Sequence, residues 1–226
     1  MILSCGDALI DFVPVVAADR GEAVRPMVGG SCLNVAIGLA RLGAPAGFVG
    51  GMSTDLFGHM IAEHAEASGV DLRYCQRSAR PTTLAFVRTV EGEARYAFYD
   101  EGSAARHWSY RPGSLPFADI DAIHIGSTTL VDAAASAETL RLVEDAGGST
   151  TLSFDPNCRP NLVGDKAGYA RRMEEFAARA GWLYYVAGNT QDEIAQKPSV
   201  IEIETRIAST RLREWARSVA LIEAAV

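Results

Sequence analysis

Cysteine, histidine and positive charge are all scarce in this chain. Its four cysteines, Cys5, Cys32, Cys75 and Cys158, are spread too widely for the paired spacing of a zinc site or a redox motif, so buried free thiols are expected. Of its four histidines, His59 and His64 would point roughly 140° apart on a helix, which defeats the one-face requirement of a zinc-protease pair. His107 and His124 stand alone and read as structural. With 21 Lys and Arg against 28 Asp and Glu, the net charge is −7, and no basic cluster is available to displace counterions from nucleic acid or an anionic membrane. No apolar run approaches the length of a membrane span. The N-terminus lacks a basic region, and Asp7 interrupts its apolar run before it could serve as a signal peptide, so a cytoplasmic protein is expected. Internal repeats and low-complexity tracts are also lacking.

What the chain does have is apolar material: 226 residues, 48% of them hydrophobic, suffice for one large core, read here as a single α/β domain over 1–226. Residues 1–12 read as a strand, Cys32 to Leu42 as a helix ended by Gly43, Ala46 to Val49 as a buried strand, and Asp55 to Ser68 as a second helix. Thr82 to Val90 and Arg95 to Tyr99, joined by Glu91-Gly92-Glu93, read as a hairpin appended to the core. Alternation then resumes: strand 122–125, helix 133–146, strand 150–154, helix 167–179 and strand 182–186. Such alternation predicts a doubly wound, mostly parallel sheet flanked by helices. The last stretch ends on a helical-looking segment, Ser209 to Ala224, where a further strand is expected, so C-terminal strands are expected to be missing.

Open parallel sheets bind ligands beyond the carboxyl ends of their strands. Four groups sit there: Asp7 and Asp11; Gly29-Gly30 with Asn34; Asp155 with Asn157 and Arg159; and Asn189 with Asp192 and Glu193. A carboxylate such as Asp11 can accept from two neighbouring hydroxyls, and Asn34 can donate and accept one turn beyond the glycines, which suits a polyol. Paired glycines let a ligand approach the backbone at a helix start, or merely turn the chain. Arg159 could pair with a phosphate, or Asp155 to Arg159 could be an internally bonded Asx-type turn. Phe98, Tyr99, Trp108 and Tyr110 could cover a sugar face or simply pack the hairpin onto the sheet.

These groups, in this order, resemble the PfkB-type carbohydrate kinase family, particularly its fructokinase-like members. The resemblance rests on Gly6-Asp7-Ala8-Leu9-Ile10-Asp11, Val28-Gly29-Gly30-Ser31-Cys32-Leu33-Asn34-Val35-Ala36, Gly43, the segment Val49 to Gly58, and Asp155-Pro156-Asn157-Cys158-Arg159-Pro160. It implies a ribokinase-like fold in which ATP, with Mg²⁺ bridging its phosphates, phosphorylates a hydroxyl of fructose or a related ketose. By position, Asp11, Gly29, Gly30, Asn34, Phe98 and Asn157 would bind sugar, and Arg159 would assist near the transferred phosphate. Asn189, Asp192 and Glu193 would serve the nucleotide side. Gly29-Gly30 would hinge a β lid built from inserts near 13–27 and 82–105, and its apolar edge implies a homodimer. The family's catalytic base comes from a Gly-Ala-Gly-Asp segment that this sequence does not contain. A sugar-binding remnant without catalysis therefore stays open, as does a nucleoside or ketodeoxy-sugar acid kinase; Arg88, Arg95 and Arg106 are the cations available for an acid.

Overall fold

The first apolar run is divided between two sheets. A computed structural model describes residues 1–16, 21–90, 93–157, 162–180 and 182–183. In it β1 (Ile2–Cys5) is buried on both faces, the chain breaks at Gly6 to Ala8, and β2 (Leu9–Val16) begins a different sheet. Hydrophobicity alone cannot reveal that break, because both halves are apolar. Its cause is Asp7, whose buried carboxylate accepts the Cys32 N–H at the start of a helix and pulls the chain out of line.

The central sheet has the order β10-β9-β8-β1-β4-β5, comprising β4 (Ala46–Ser53), β5 (Cys75–Ser78), β8 (Ala122–Gly126), β9 (Thr151–Asp155) and β10 (Trp182–Leu183). Every pairing within it is parallel. Because strand side chains alternate, Phe48 and Met52 face α1 (Ser31–Arg41) and α2 (Leu56–Ala67), while Leu3, Cys5, Ile123, Ile125, Leu152 and Phe154 face α3 (Ala133–Ala146) and α4 (Lys166–Arg179). This is the mostly parallel, helix-flanked architecture that the alternation predicts. Burying each of the largest side chains, such as Phe48, Phe154 and Phe176, contributes about 1.5–3 kcal/mol.

Two features escaped the sequence reading. The edge strand β5, Cys-Gln-Arg-Ser, is too polar and too short to show a period. The segment from Ser103 to Ile120, nearly without regular structure, covers the α3 face of the sheet with Trp108, Tyr110, Leu115 and Ile120.

A second sheet, β3-β2-β6-β7, adds β3 (Glu22–Gly29), β6 (Thr83–Val90) and β7 (Glu93–Tyr99), so the two insert ranges meet in it. One of its faces is apolar: Phe12 stacks on Phe86 at 4.6 Å, meets Phe57 of α2 edge-on at 5.7 Å, and Phe86 meets Tyr99 at 5.6 Å. Those contacts seat the sheet on α2. Among the described residues no helix is long and apolar enough to cross a membrane.

Candidate functional site

The carboxyl ends of β1, β4, β8 and β9 converge, and buried polar groups hold them together. Asp7, after β1, is 3% exposed. Its carboxylate accepts from the Ser127 hydroxyl at 2.5 Å, the Cys32 N–H at 3.2 Å and the Thr128 hydroxyl at 3.3 Å. Burial pushes its pKa above the ordinary carboxylate value, and those three donors only partly offset the push. Asp7 thus joins the start of α1 to the loop after β8, where Ser127 holds φ +74°. It is internal scaffold.

Asp11 is differently placed. It lies on β2, half-buried, on the face of the second sheet that is turned away from α2. Gly29 shares that face, and a Cβ there would stand 2.2 Å from the Asp11 carboxylate, so only glycine allows this approach. Gly30 has φ +108°, and its missing Cβ makes room for the Asp7 carbonyl. The pair therefore does more than turn the chain. The helices α2, α3 and α4 are capped by the side chains of Asp55, Asp132 and Asp165, whereas α1 begins at Gly30 with no side-chain cap. One turn into α1, half-buried Asn34 spends its backbone N–H on the Gly30 carbonyl and makes no side-chain hydrogen bond with any described residue. Phe98 stands opposite Ala85, which stands beside Asp11; half-buried, it stacks on Tyr96 at 5.8 Å.

Asp11, Gly29, Gly30, Asn34 and Phe98 are thus gathered around the root of the second sheet. Asn157 lies beyond β9, two strands from β1 and so about 10 Å across the sheet. Its N–H donates to Asp155 at 2.8 Å and its own φ is +41°, which is the Asx-type turn considered from the sequence. Arg159, Asn189, Asp192 and Glu193 lie outside the described residues. Trp108 and Tyr110 belong to the core under α3, so of the four aromatic candidates they are packing residues. Tyr99 lies on the α2 side of the second sheet, against Phe86. His124 is buried beside Ser153, and His107 bonds the Ser103 carbonyl.

Two polar groups at the site have partners that the sequence did not reveal. Asp55 caps α2 and also grips Thr82, the residue before β6; the Asp55-x-x-Gly58 start of a helix was a legible sign of the cap but not of its second partner. Arg106 bonds Asp100 at 2.7 Å and approaches Asp132 at 3.5 Å, linking the end of β7 to the start of α3. Among the described residues no three His, Cys, Asp or Glu side chains gather to hold a cation.

The sequence profile of the pfkB family carbohydrate kinases matches residues 1–183. A fructokinase of Rhizobium leguminosarum bv. trifolii is 38% identical over 182 residues, covering 80% of this chain and 55% of the relative. Fructokinase-1 of Oryza sativa subsp. japonica is 36% identical over 170 residues, or 72% of this chain and 52% of the relative. Among solved structures, the fructokinase of Xylella fastidiosa superposes with a TM-score of 0.73 at 30% identity, covering 80% of this chain and 58% of that one. The same enzyme with bound ATP gives 0.72 at 29% identity, covering 80% and 56%. The chain spans about half the length of the curated relatives it matches.

Proposed function

This chain belongs to the pfkB family of carbohydrate kinases, and from that premise we propose that it supplies the sugar-binding half of an ATP-dependent sugar kinase acting on fructose or a related ketose. The observation that carries the reading is the approach of the Asp11 carboxylate to Gly29, beside an α1 start whose N-cap, Gly30, brings no side chain of its own. Asp11 accepts from two sugar hydroxyls at once, Asn34 offers both a donor and an acceptor, and Phe98 covers an apolar edge of the ring. Asn157 meets the sugar from the β9 side.

Phosphoryl transfer relies on positioning and on charge stabilisation, so a sugar fixed by these residues is ready for in-line attack on a nucleotide. ATP with Mg²⁺ would supply the phosphoryl group. By the family resemblance of their segments, Asn189, Asp192 and Glu193 are assigned to the nucleotide side, with Arg159 assisting. The second sheet acts as a lid hinged at Gly29-Gly30. Its exposed Met27 and Tyr96, both on the Asp11 face, pair with a second copy of the chain; a monomeric mass in sedimentation at micromolar concentration contradicts that pairing.

A second reading is sugar binding without transfer, because the candidate residues that the structure describes, Asp11, Gly29, Gly30, Asn34, Phe98 and Asn157, all belong to the sugar side of the reading. Calorimetric titration of the chain with fructose and then Mg-ATP, alongside a coupled ADP-release assay, separates the two. Turnover supports the kinase, sugar heat alone supports the second reading, and silence in both experiments removes the sugar site.

A further inference from the structure

Arg106 is placed at the carboxyl end of the central sheet by its neighbours. Ala104 donates to the Pro81 carbonyl at 2.9 Å, just before β6, and its own carbonyl closes on Gly51 at the end of β4. The Arg106 side chain then runs between Asp100, the residue after β7, and Asp132, the N-cap of α3. Asp100 directly follows β7, the strand that carries Phe98 on the Asp11 face of the second sheet. The three side chains are 27%, 14% and 29% exposed, so the cluster is packed yet open to a ligand.

The charge on this rim has a definite sign. Two carboxylates flank one guanidinium, leaving a net charge of −1 where a lone Arg106 would present +1. Arg106 already spends its Nε–H on Asp100. Asp132 is itself held in place, because it accepts the N–H groups of Ala134 and Ala135 at 3.0 and 2.9 Å. Of the other cations near the second sheet, Arg88 pairs in register with Arg95, on the strand positions opposite in parity to Asp11. Arg25, opposite Val13, shares the Asp11 face but stands further out along β3 and is exposed.

We propose that Asp100, seconded by Asp132, is a specificity-determining residue: by occupying Arg106 it makes the acceptor rim acidic, so that the site admits uncharged sugars and rejects sugar acids. The inference rests on the sugar-binding reading of the site. A carboxylate on the acceptor needs an uncompensated guanidinium to offset its desolvation, and here two carboxylates already offset the Arg106 charge. Removing the Asp100 charge relaxes the preference.

The test is calorimetric titration of the full 226-residue chain with D-fructose and with 2-keto-3-deoxy-D-gluconate. The expected result is that the unmodified chain binds fructose at least about tenfold more tightly than the acid, that Asp100→Asn tightens acid binding by about tenfold or more, and that the gain vanishes in Asp100→Asn/Arg106→Gln. Loss of the gain on removing Arg106 assigns it to that residue and excludes Arg25. An Asp100→Asn chain that melts like the parent and shows no gain overturns the inference, as does a parent chain that binds the acid as tightly as fructose. If Asp100→Asn fails to fold, Asp132→Asn decides in the same way, since its amide oxygen still caps α3. A parent chain that binds neither sugar overturns the sugar-binding reading itself, and this inference with it.

Discussion

The carboxylate of Asp55 accepts the Thr82 N–H at 2.8 Å and the Thr82 hydroxyl at 2.6 Å while also accepting the Gly58 N–H at 2.7 Å. One side chain therefore caps α2 and fastens the root of β6. Asp132 behaves alike at the other root, where it caps α3 and reaches Arg106, which holds Asp100 at the end of β7. The β6–β7 pair is thus tied at both ends to helix starts, whereas β3 runs into α1 through two glycines.

Asp55→Ala is expected to cost about 0.5–2 kcal/mol for the cap alone and to raise hydrogen exchange across residues 82–90 more than across α1. Partial burial raises the Asp55 pKa, but hydrogen bonds from Thr82 and Gly58 outweigh it and hold the group below its ordinary value. A lowered carboxylate pKa stabilises above the unfolded-state value near 3.8 and is lost as pH falls through the native one. The variant should accordingly lose less stability than the parent on acidification below about pH 4; denaturant melts across that range measure it.

The two glycines should respond differently to alanine. At Gly30 the new Cβ meets the Asp7 backbone carbonyl at 2.6 Å under φ +108°, so Gly30→Ala should be destabilised by roughly 1–3 kcal/mol or more. At Gly29 the new Cβ meets the end of the Asp11 side chain and, at 3.3 Å, a Leu9 methyl, both side-chain ends that can shift. Gly29→Ala should therefore fold, with sugar affinity reduced at least about tenfold; melts and titration of both variants check the contrast.

His124 makes stability fall with acid at a higher pH than Asp55 does. Its burial lowers its pKa from 6.5 to about 4, so the unfolded chain takes up a proton at this residue between those values and the folded chain does not. Stability therefore drops as pH falls from about 6.5 toward 4, by up to about 1.4 kcal/mol per pH unit from this residue. His124→Asn should flatten that slope in urea melts, and an unchanged slope contradicts the assignment.

Burial pushes the thiols of Cys5 and Cys75 up to about 12 and that of Cys32 well above its ordinary value. Native-state alkylation at pH 8 followed by peptide mapping should leave all three unmodified, with rapid reaction only after denaturation.

The sequence revealed the fold well wherever periodicity and burial coincide. Residues 133–146 are α3 to the residue, and the helices expected over 32–42 and 167–179 shift by about one position, the ordinary fraying of helix ends. What it hid were relationships between distant residues. Asp7 and Asp11 read as equivalent carboxylates four positions apart, and only the break between two sheets makes one internal scaffold and leaves the other on a sheet face beside Gly29, where we propose a sugar contact. Trp108 and Tyr110 read as possible sugar covers because nothing in their irregular segment indicates that it folds under α3. The charge cancellation at Arg106 needs partners from three elements and has no local signature at all.

Fructose titration of the parent chain and of Asp11→Asn tests the central claim most directly. The account predicts saturable binding by the parent and a loss of roughly tenfold to hundredfold in affinity when the charge on Asp11 is removed, with the melting temperature retained. A parent chain that takes up no fructose, or a variant that binds it equally well, contradicts the account.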